Sequence, residues 1–149
     1  MTESKEPYSD QIFHRLLSII HHTRQYGRQI IDENGLKPRD FSVLIFLSER
    51  GSATVGQVQA FVHKSPSTTS ALIAQLEGNG YLTRTRSKED NRVVIVKLTP
   101  LGQDIACKTP LGGLPLLRRQ LGELSKKRLV QIDDVLTEIM NMMVSVETE

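Results

Sequence analysis

The chain has 149 residues, of which 38% are hydrophobic and 24% charged, as in folded globular proteins and unlike disordered chains. No apolar run in the sequence approaches the ~20 residues that a membrane span needs, so we expect no membrane association. The start, MTESKEPYSD, lacks the features of a signal peptide, and the single cysteine cannot form an internal disulfide. These features favour the reducing cytoplasm.

The charge is distributed unevenly along the chain, although the net charge is only +2. Residues 37–99 carry nine Lys or Arg against five Asp or Glu, whereas residues 1–36 carry four against five and residues 100–149 six against seven. The middle of the chain therefore has the electrostatics that suit a polyanion. A solvated face would give the same pattern, so charge alone leaves both interpretations open.

The spacing of apolar residues predicts a first helix over residues 9–32, with Gly35 suited to the left-handed position beyond its end. Pro38 can then begin a second helix, which should end before Gly51. Its run FSVLIFL is apolar on nearly every side. We therefore place this second helix at the centre of the core.

Two short helices joined by a tight turn are predicted next. Thr54 and Gln57 fit a capping box at the start of the first, which should run to about Phe61. The turn falls at residues 63–64. Ser65 is a good N-cap for the following helix, whose opening turns carry small hydroxylated side chains.

A basic β-hairpin is predicted between Leu82 and Thr99. Two strand-forming runs flank the polar link Ser87–Arg92, which gives the hairpin a long charged tip. The basic side chains of this hairpin are Arg84, Arg86, Lys88, Arg92 and Lys97. A projection of this kind can be a solvated loop or a contact with a polyanion.

The rest of the chain is predicted to be helical with one interruption. A helix over residues 101–108 precedes the Pro- and Gly-rich stretch 109–115, and a short helix over about 116–123 leads to Ser125, a cap for the last helix. Apolar residues of the last helix alternate spacings of three and four, which favours packing against another helix. They are Leu129, Ile132, Leu136, Ile139 and Met143.

The two short helices and their turn describe a helix-turn-helix, whose second helix would lie in the major groove of DNA. Small hydroxyls at the start of that helix allow close approach and bond to bases or phosphates. The alternative is that they merely cap and solvate a surface helix, but the basic hairpin that follows favours DNA. The predicted contacts are Lys64, Ser65, Ser67, Thr68, Thr69 and Ser70.

Three motifs in the order found here resemble those of the MarR family of bacterial and archaeal transcriptional regulators. They are LEGNG at 76–80 followed by Arg84, DNR at 90–92, and LTPLG at 98–102. The resemblance covers residues 36–102, and it implies a mainly α fold with a small β-hairpin wing. Many members have Asp-Pro-Arg before the DNR motif, whereas this chain has Ser-Lys-Glu, so its tip carries less positive charge.

The resemblance also implies an organisation and a function. It implies one domain over residues 1–149, with a DNA-binding lobe at 36–102 and dimerisation helices at 9–34 and 103–146. The implied protein is a homodimer, most often a repressor, that binds pseudo-palindromic operators in double-stranded DNA. A small-molecule effector, such as an aromatic acid, would release it. The predicted dimer interface consists of Ile12, Leu16, Leu129, Ile132, Leu136, Ile139 and Met143.

In the family, the Arg of the DNR motif enters the minor groove while the Asp holds its side chain. By position these roles fall to Arg92 and Asp90; the alternative is an exposed ion pair worth under ~1 kcal/mol. The predicted wing contacts are Arg84, Arg86, Lys88, Asp90 and Arg92. An effector pocket next to the dimer helices would use His14, His21, Tyr26 and Phe41, for which core packing is the competing role.

We expect no enzyme, because no nucleophile–base pair, metal signature or phosphate loop is visible in the sequence. No cofactor or metal is expected either, since His14 and His21 lie two helical turns apart and are too distant to chelate one ion alone. Cys107 does not match the position of the family's oxidant-sensing cysteine. The competing class is a winged-helix module that binds another regulator and not DNA.

Overall fold

The computed structural model describes residues 6–144, and Glu6 through its backbone alone. Within them, seven helices accompany a three-stranded antiparallel sheet, which confirms the predicted mainly α fold with a small β-hairpin wing. The helices are α1 (Glu6–Asn34), α2 (Pro38–Arg50), α3 (Val55–Val62), α4 (Pro66–Gly78), α5 (Pro100–Lys108), α6 (Gly113–Gly122) and α7 (Lys126–Met143). The strands are β1 (Ala53–Thr54), β2 (Leu82–Arg86) and β3 (Val94–Leu98).

The chain divides into two compact units, Met1–Gly113 and Leu114–Glu149. The first contains α1 to α5 and the sheet, and the second contains α7 and nearly all of α6. The last two residues of the predicted dimerisation segment, 145 and 146, lie outside the described residues.

Helix α2 lies at the centre of the core of the first unit, as its apolar run predicts. Six of its apolar side chains are buried: Phe41, Val43, Leu44, Ile45, Phe46 and Leu47. They share one cluster with Val58 of α3, with Leu72, Ile73 and Leu76 of α4, and with Leu82 and Val96 of the sheet. Burial of this apolar surface packs both the helix-turn-helix and the hairpin against α2.

The sheet has the order β1-β3-β2 and contains a strand that the sequence analysis did not predict. Strand β1 has two residues, and its Ala53 pairs with Val96 of β3. A segment this short shows no alternation of apolar and polar residues, so only its pairing with β3 reveals it as a strand.

The Pro- and Gly-rich interruption after α5 is shorter than predicted. Helix α6 begins at Gly113 and not near Leu116, so Pro115 lies inside its first turn. A proline is tolerated there because the first N–H groups of a helix have no intrahelical partner. The irregular segment is therefore residues 109–112.

Among residues 6–144, no helix is both long and apolar enough to cross a membrane. The same part of the chain contains no group of three or more His, Cys, Asp or Glu side chains that could hold a metal ion.

Candidate nucleic-acid interface

The start of α4 carries a small network of hydroxyl groups. Ser65 caps the helix, and its Oγ accepts the Thr68 main-chain N–H at 3.3 Å. The same Oγ lies 3.1 Å from Ser67 Oγ and 2.9 Å from Thr68 Oγ1. These three side chains and Ser70 are exposed. The helix thus begins with short polar groups that a DNA groove can approach closely.

The turn before α4 is built from local interactions that the sequence predicts. Thr54 and Gln57 form the expected capping box at the start of α3, with hydrogen bonds of 3.1 and 2.8 Å. His63 ends α3 in the left-handed conformation, with φ of 50°. This conformation turns the chain sharply, and the exposed Lys64 follows it.

Thr69 is wrongly predicted as a DNA contact. Its side chain is 0% exposed, and its hydroxyl donates to the Ser65 carbonyl oxygen at 3.0 Å. It lies on the face of α4 that also buries Leu72, Ile73 and Leu76. Its role is therefore in packing the helix onto the core.

The predicted hairpin forms between Leu82 and Leu98 and has a compact tip. Arg86 pairs with Val94 at the ends of β2 and β3, so the link comprises residues 87–93. The Ser87 N–H donates to the Val93 carbonyl oxygen at 2.8 Å and closes the loop. The Arg86 guanidinium donates to the Asn91 carbonyl oxygen at 3.4 Å, and Arg86 and Lys88 remain exposed.

Asp90 and Arg92 are connected through the main chain. The Asp90 carboxylate accepts the main-chain N–H of Arg92 at 2.9 Å, and across residues 6–144 no ion pair joins the two side chains. The predicted contact of Asp90 with the Arg92 side chain is therefore replaced by a contact with its backbone. This contact fixes the backbone of Arg92 at the tip of the hairpin. The exposed guanidinium remains available for another partner.

Arg84 differs from the other basic residues of the hairpin because, within residues 6–144, it alone among them forms an ion pair with an acidic side chain. Its Nε donates to Glu77 Oε2 at 2.7 Å, its Nη2 forms an ion pair with the same oxygen, and its main-chain N–H donates to Glu77 Oε1 at 3.1 Å. The side-chain hydrogen bond from Arg84 lowers the pKa of Glu77. The predicted DNA contact at Arg84 thus competes with a structural contact that the sequence analysis missed.

The LTPLG motif fastens the end of the hairpin to the end of α4. Thr99 Oγ1 donates to the Gly80 carbonyl oxygen at 2.6 Å and also caps α5 by accepting the Gly102 N–H at 3.1 Å. A Cβ at Gly102 would lie 2.0 Å from the Tyr81 carbonyl oxygen, so no larger residue fits. The motif therefore fixes the position of the hairpin relative to the helix-turn-helix.

The structure does not assemble the four residues predicted for an effector pocket. Phe41 is 0% exposed and belongs to the core, so it is wrongly placed in a pocket. Tyr26 is half-buried and packs against the core and against Gly112 and Gly113, and its hydroxyl donates to the Pro110 carbonyl oxygen at 3.0 Å. Desolvation by this packing raises the pKa of Tyr26.

The two histidines are exposed on α1. His21 lines an open groove of about 730 Å³ that is formed by α1 residues from Leu17 to Glu33. His14 lies two turns earlier on the same helix.

The predicted dimer residues are exposed or only partly buried in the single chain. Ile12 is 54% exposed, Leu136 49% and Met143 80%, and Leu16, Leu129, Ile132 and Ile139 are partly buried. In the second unit, neither α6 nor the 18-residue helix α7 has a single buried residue. The described residues of that unit therefore do not fully cover the apolar side chains of these two helices.

A helix-turn-helix with exposed hydroxyls, followed by a basic hairpin, defines the winged helix-turn-helix class. The MarR family model matches residues 36–94. Over these residues the chain is similar to the MarR family, and the relatives that it matches are named as HTH-type transcriptional regulators.

Relatives of known sequence support this assignment. The uncharacterized HTH-type transcriptional regulator YsmB of Bacillus subtilis (strain 168) is 33% identical over 55% of this chain and 56% of its own length. The HTH-type transcriptional repressor MdtR of the same organism is 28% identical over 68% of this chain and 65% of its own length. The chain thus spans about half to two thirds of the length of these relatives.

Solved structures have a similar fold. BpsR of Bordetella bronchiseptica, whose DNA binding is regulated by 6-hydroxynicotinic acid, superimposes with a TM-score of 0.58 at 22% identity, over 87% of this chain and 98% of its own. At this level of identity the likeness concerns the fold alone.

Proposed function

We propose that the protein is a sequence-specific DNA-binding repressor, active in the cytoplasm as a homodimer on pseudo-palindromic operators and released by a small-molecule effector. The DNA-binding part of this proposal rests on the surroundings of Arg92. Its guanidinium lacks a protein partner within residues 6–144, and Asp90 holds its backbone at the tip of the wing. An arginine presented in this way suits the negative potential of a narrow minor groove.

The start of α4 supports the same proposal from the other side of the module. Ser67, Thr68 and Ser70 are exposed at the positive end of the helix dipole, where phosphate oxygens and base edges are favourable partners. Major-groove contacts from α4 and a minor-groove contact from Arg92 together read one half-site.

The homodimer is supported by the apolar surface of α7. Val135, Leu136, Met140 and Met143 are each about half exposed or more, and exposed apolar surface of this extent on one helix favours association. Two copies would present two wings to two half-sites. Repression is suggested by MdtR, and release by a small aromatic acid is suggested by BpsR.

The wing is tested with Arg92→Ala. We expect operator affinity to fall more than about tenfold and the slope of log affinity against log salt to fall by about one. Fluorescence anisotropy over a salt series measures both quantities. The matched control is Arg119→Ala, which removes the same charge from the exposed surface of α6. Unchanged affinity for Arg92→Ala would remove the wing mechanism, and the absence of any salt-dependent DNA binding would favour a protein-interaction module.

A further inference from the structure

Glu77 is an acidic residue at an electrostatically unfavourable position. It lies in the last turn of α4, where the negative end of the helix dipole destabilises a carboxylate. It also belongs to the helix that would approach the phosphates of DNA. Both effects disfavour a negative charge at this position, so its presence calls for a compensating interaction.

The compensating interaction is with Arg84, and it has three parts. Two nitrogens of the guanidinium bind Oε2, and the Arg84 main-chain N–H binds Oε1 at 3.1 Å. Strand β2 is an edge strand, so its outward N–H groups have no strand to pair with. Glu77 therefore holds both the side chain and the backbone of β2. We call this arrangement the Glu77–Arg84 brace.

The brace joins the two parts of the module that contact DNA. One end is the recognition helix α4, and the other is the strand that leads to the wing tip and to Arg92. The contact of Thr99 with Gly80 fixes the return of β3 at the same place, so the brace is a further attachment of the hairpin, beside the core contacts of Leu82 and Val96. A side chain that bonds two atoms of a strand restricts its rotation more than a single ion pair does.

We propose that Glu77 is a positioning residue, which through Arg84 sets the wing relative to α4 and so places Arg92 for the minor groove. The inference rests on the proposed DNA-binding function and deepens it. It assigns to Arg84 a role within the protein in place of a direct phosphate contact. The carboxylate acts on DNA affinity although it never touches DNA.

This proposal and direct phosphate contact by Arg84 predict opposite signs for Glu77→Gln. If Arg84 binds phosphate, removal of the competing carboxylate should leave operator affinity unchanged or raise it. If the brace positions the wing, operator affinity should fall about fivefold, at the lower end of typical coupling between sites. Arg84→Gln should cause a loss of similar size, and the double variant should bind no worse than either single variant.

Glu89→Gln is the matched control. Glu89 is an exposed acidic residue at the wing tip, and only its main-chain N–H is hydrogen-bonded, to Ser87. Its replacement removes the same charge near DNA without affecting the brace, so operator affinity should stay the same or rise. Hydroxyl-radical footprinting adds a structural readout: Glu77→Gln should lose minor-groove protection at the wing site while major-groove contacts of α4 persist. Urea unfolding of each variant checks that the fold is intact.

The outcomes separate this inference from the proposed function. Unchanged or tighter binding by Glu77→Gln, with weaker binding by Arg92→Ala, overturns the brace and keeps the wing. No loss with either variant overturns both. Weaker binding by Glu77→Gln with unchanged binding by Arg92→Ala overturns the proposed route through Arg92. Additive losses in the double variant of Glu77 and Arg84 overturn the coupling through Arg84.

Discussion

Hydroxyl groups two residues apart on α4 have different surroundings. Thr69 packs into the core with its hydroxyl bonded to Ser65, whereas Ser67 faces solvent near the cap. The first should contribute to stability and the second to recognition. This division follows from the helical repeat, which turns each successive side chain by about 100°, so that side chains two positions apart point to nearly opposite sides of the helix.

Thr69→Ala should therefore destabilise the fold by about 1–2 kcal/mol, because it removes a buried methyl group and leaves a small cavity. Urea unfolding should show a lower midpoint with an unchanged slope. Ser67→Ala is the control: it should shift stability by less than about 0.5 kcal/mol but change operator preference. Equal stability of the two variants would contradict the assignment of Thr69 to the core.

Asp40 is a buried carboxyl with incomplete hydrogen bonding. It is 1% exposed; Gln75 Nε2 donates to its Oδ2 at 3.4 Å, while its Oδ1 has no hydrogen-bond partner. Desolvation raises its pKa above the ordinary value of 3.8, although Arg39 and Lys37 oppose the shift. The folded state therefore binds a proton more tightly than the unfolded state does.

Stability should consequently fall as pH rises from about 3.8 through the raised folded pKa of Asp40. Asp40→Asn removes this titration. We expect the variant to be more stable than the native chain at pH 7, where the buried carboxylate is charged, and to lose that advantage near pH 4. Urea unfolding at both pH values measures the difference. A gain that is equal at the two pH values would rule out this titration as the cause.

At the scale of elements, short motifs fasten one element to the next. Thr99 and Gly102 join α5 to the turn between α4 and β2, and the irregular segment 109–112 crosses the ring of Tyr26 on α1. Both junctions depend on glycines that let the backbone approach closely. The DNA-binding lobe and α1 are thereby held together within the first unit.

Gly112→Ala tests the second junction. A Cβ there would lie 2.7 Å from two carbons of the Tyr26 ring, whose hydroxyl is bonded to Pro110. Because this ring cannot move freely, we expect a loss of about 1–3 kcal/mol. Thermal unfolding measures it. Gly122→Ala is the control, since a Cβ at Gly122 meets nothing within 4 Å, and it should be neutral or stabilising. Similar losses for both variants would indicate a general effect of glycine replacement.

At the scale of the whole molecule, the proposed dimer would determine whether one wing or two reach the operator. Helix α7 is amphipathic, yet none of its residues is buried in the single chain. A second copy is the partner that the proposed function requires.

Leu136→Asp should break this association, because it places a charge in an apolar contact. Sedimentation velocity should show a monomer, and operator affinity should drop by at least about a hundredfold as the two half-sites become independent. The control, Thr137→Asp, adds the same charge to an exposed neighbouring position and should remain a dimer. A Leu136→Asp protein that still sediments as a dimer would disprove the predicted interface on α7.

Structure that depends on residues within about four positions was predictable. The capping box of Thr54 and Gln57 and the caps Ser65 and Ser125 all form as expected, because each needs only a side chain and nearby backbone N–H groups. The apolar run of α2 was also sufficient to place that helix in the core. The family of the DNA-binding lobe followed from the order of its motifs.

Contacts between elements were not predictable in the same way. Strand β1 depends on β3 about forty residues later, and the Glu77–Arg84 brace joins a helix end to a strand across a turn. The burial of Thr69 depends on which side of α4 meets the core. The sequence by itself determined the helices, their caps and the hairpin, because local hydrogen bonding and periodicity specify them. Only the tertiary structure decided which polar side chains of α4 and the hairpin are exposed, because packing between distant segments buries some and leaves others at the surface.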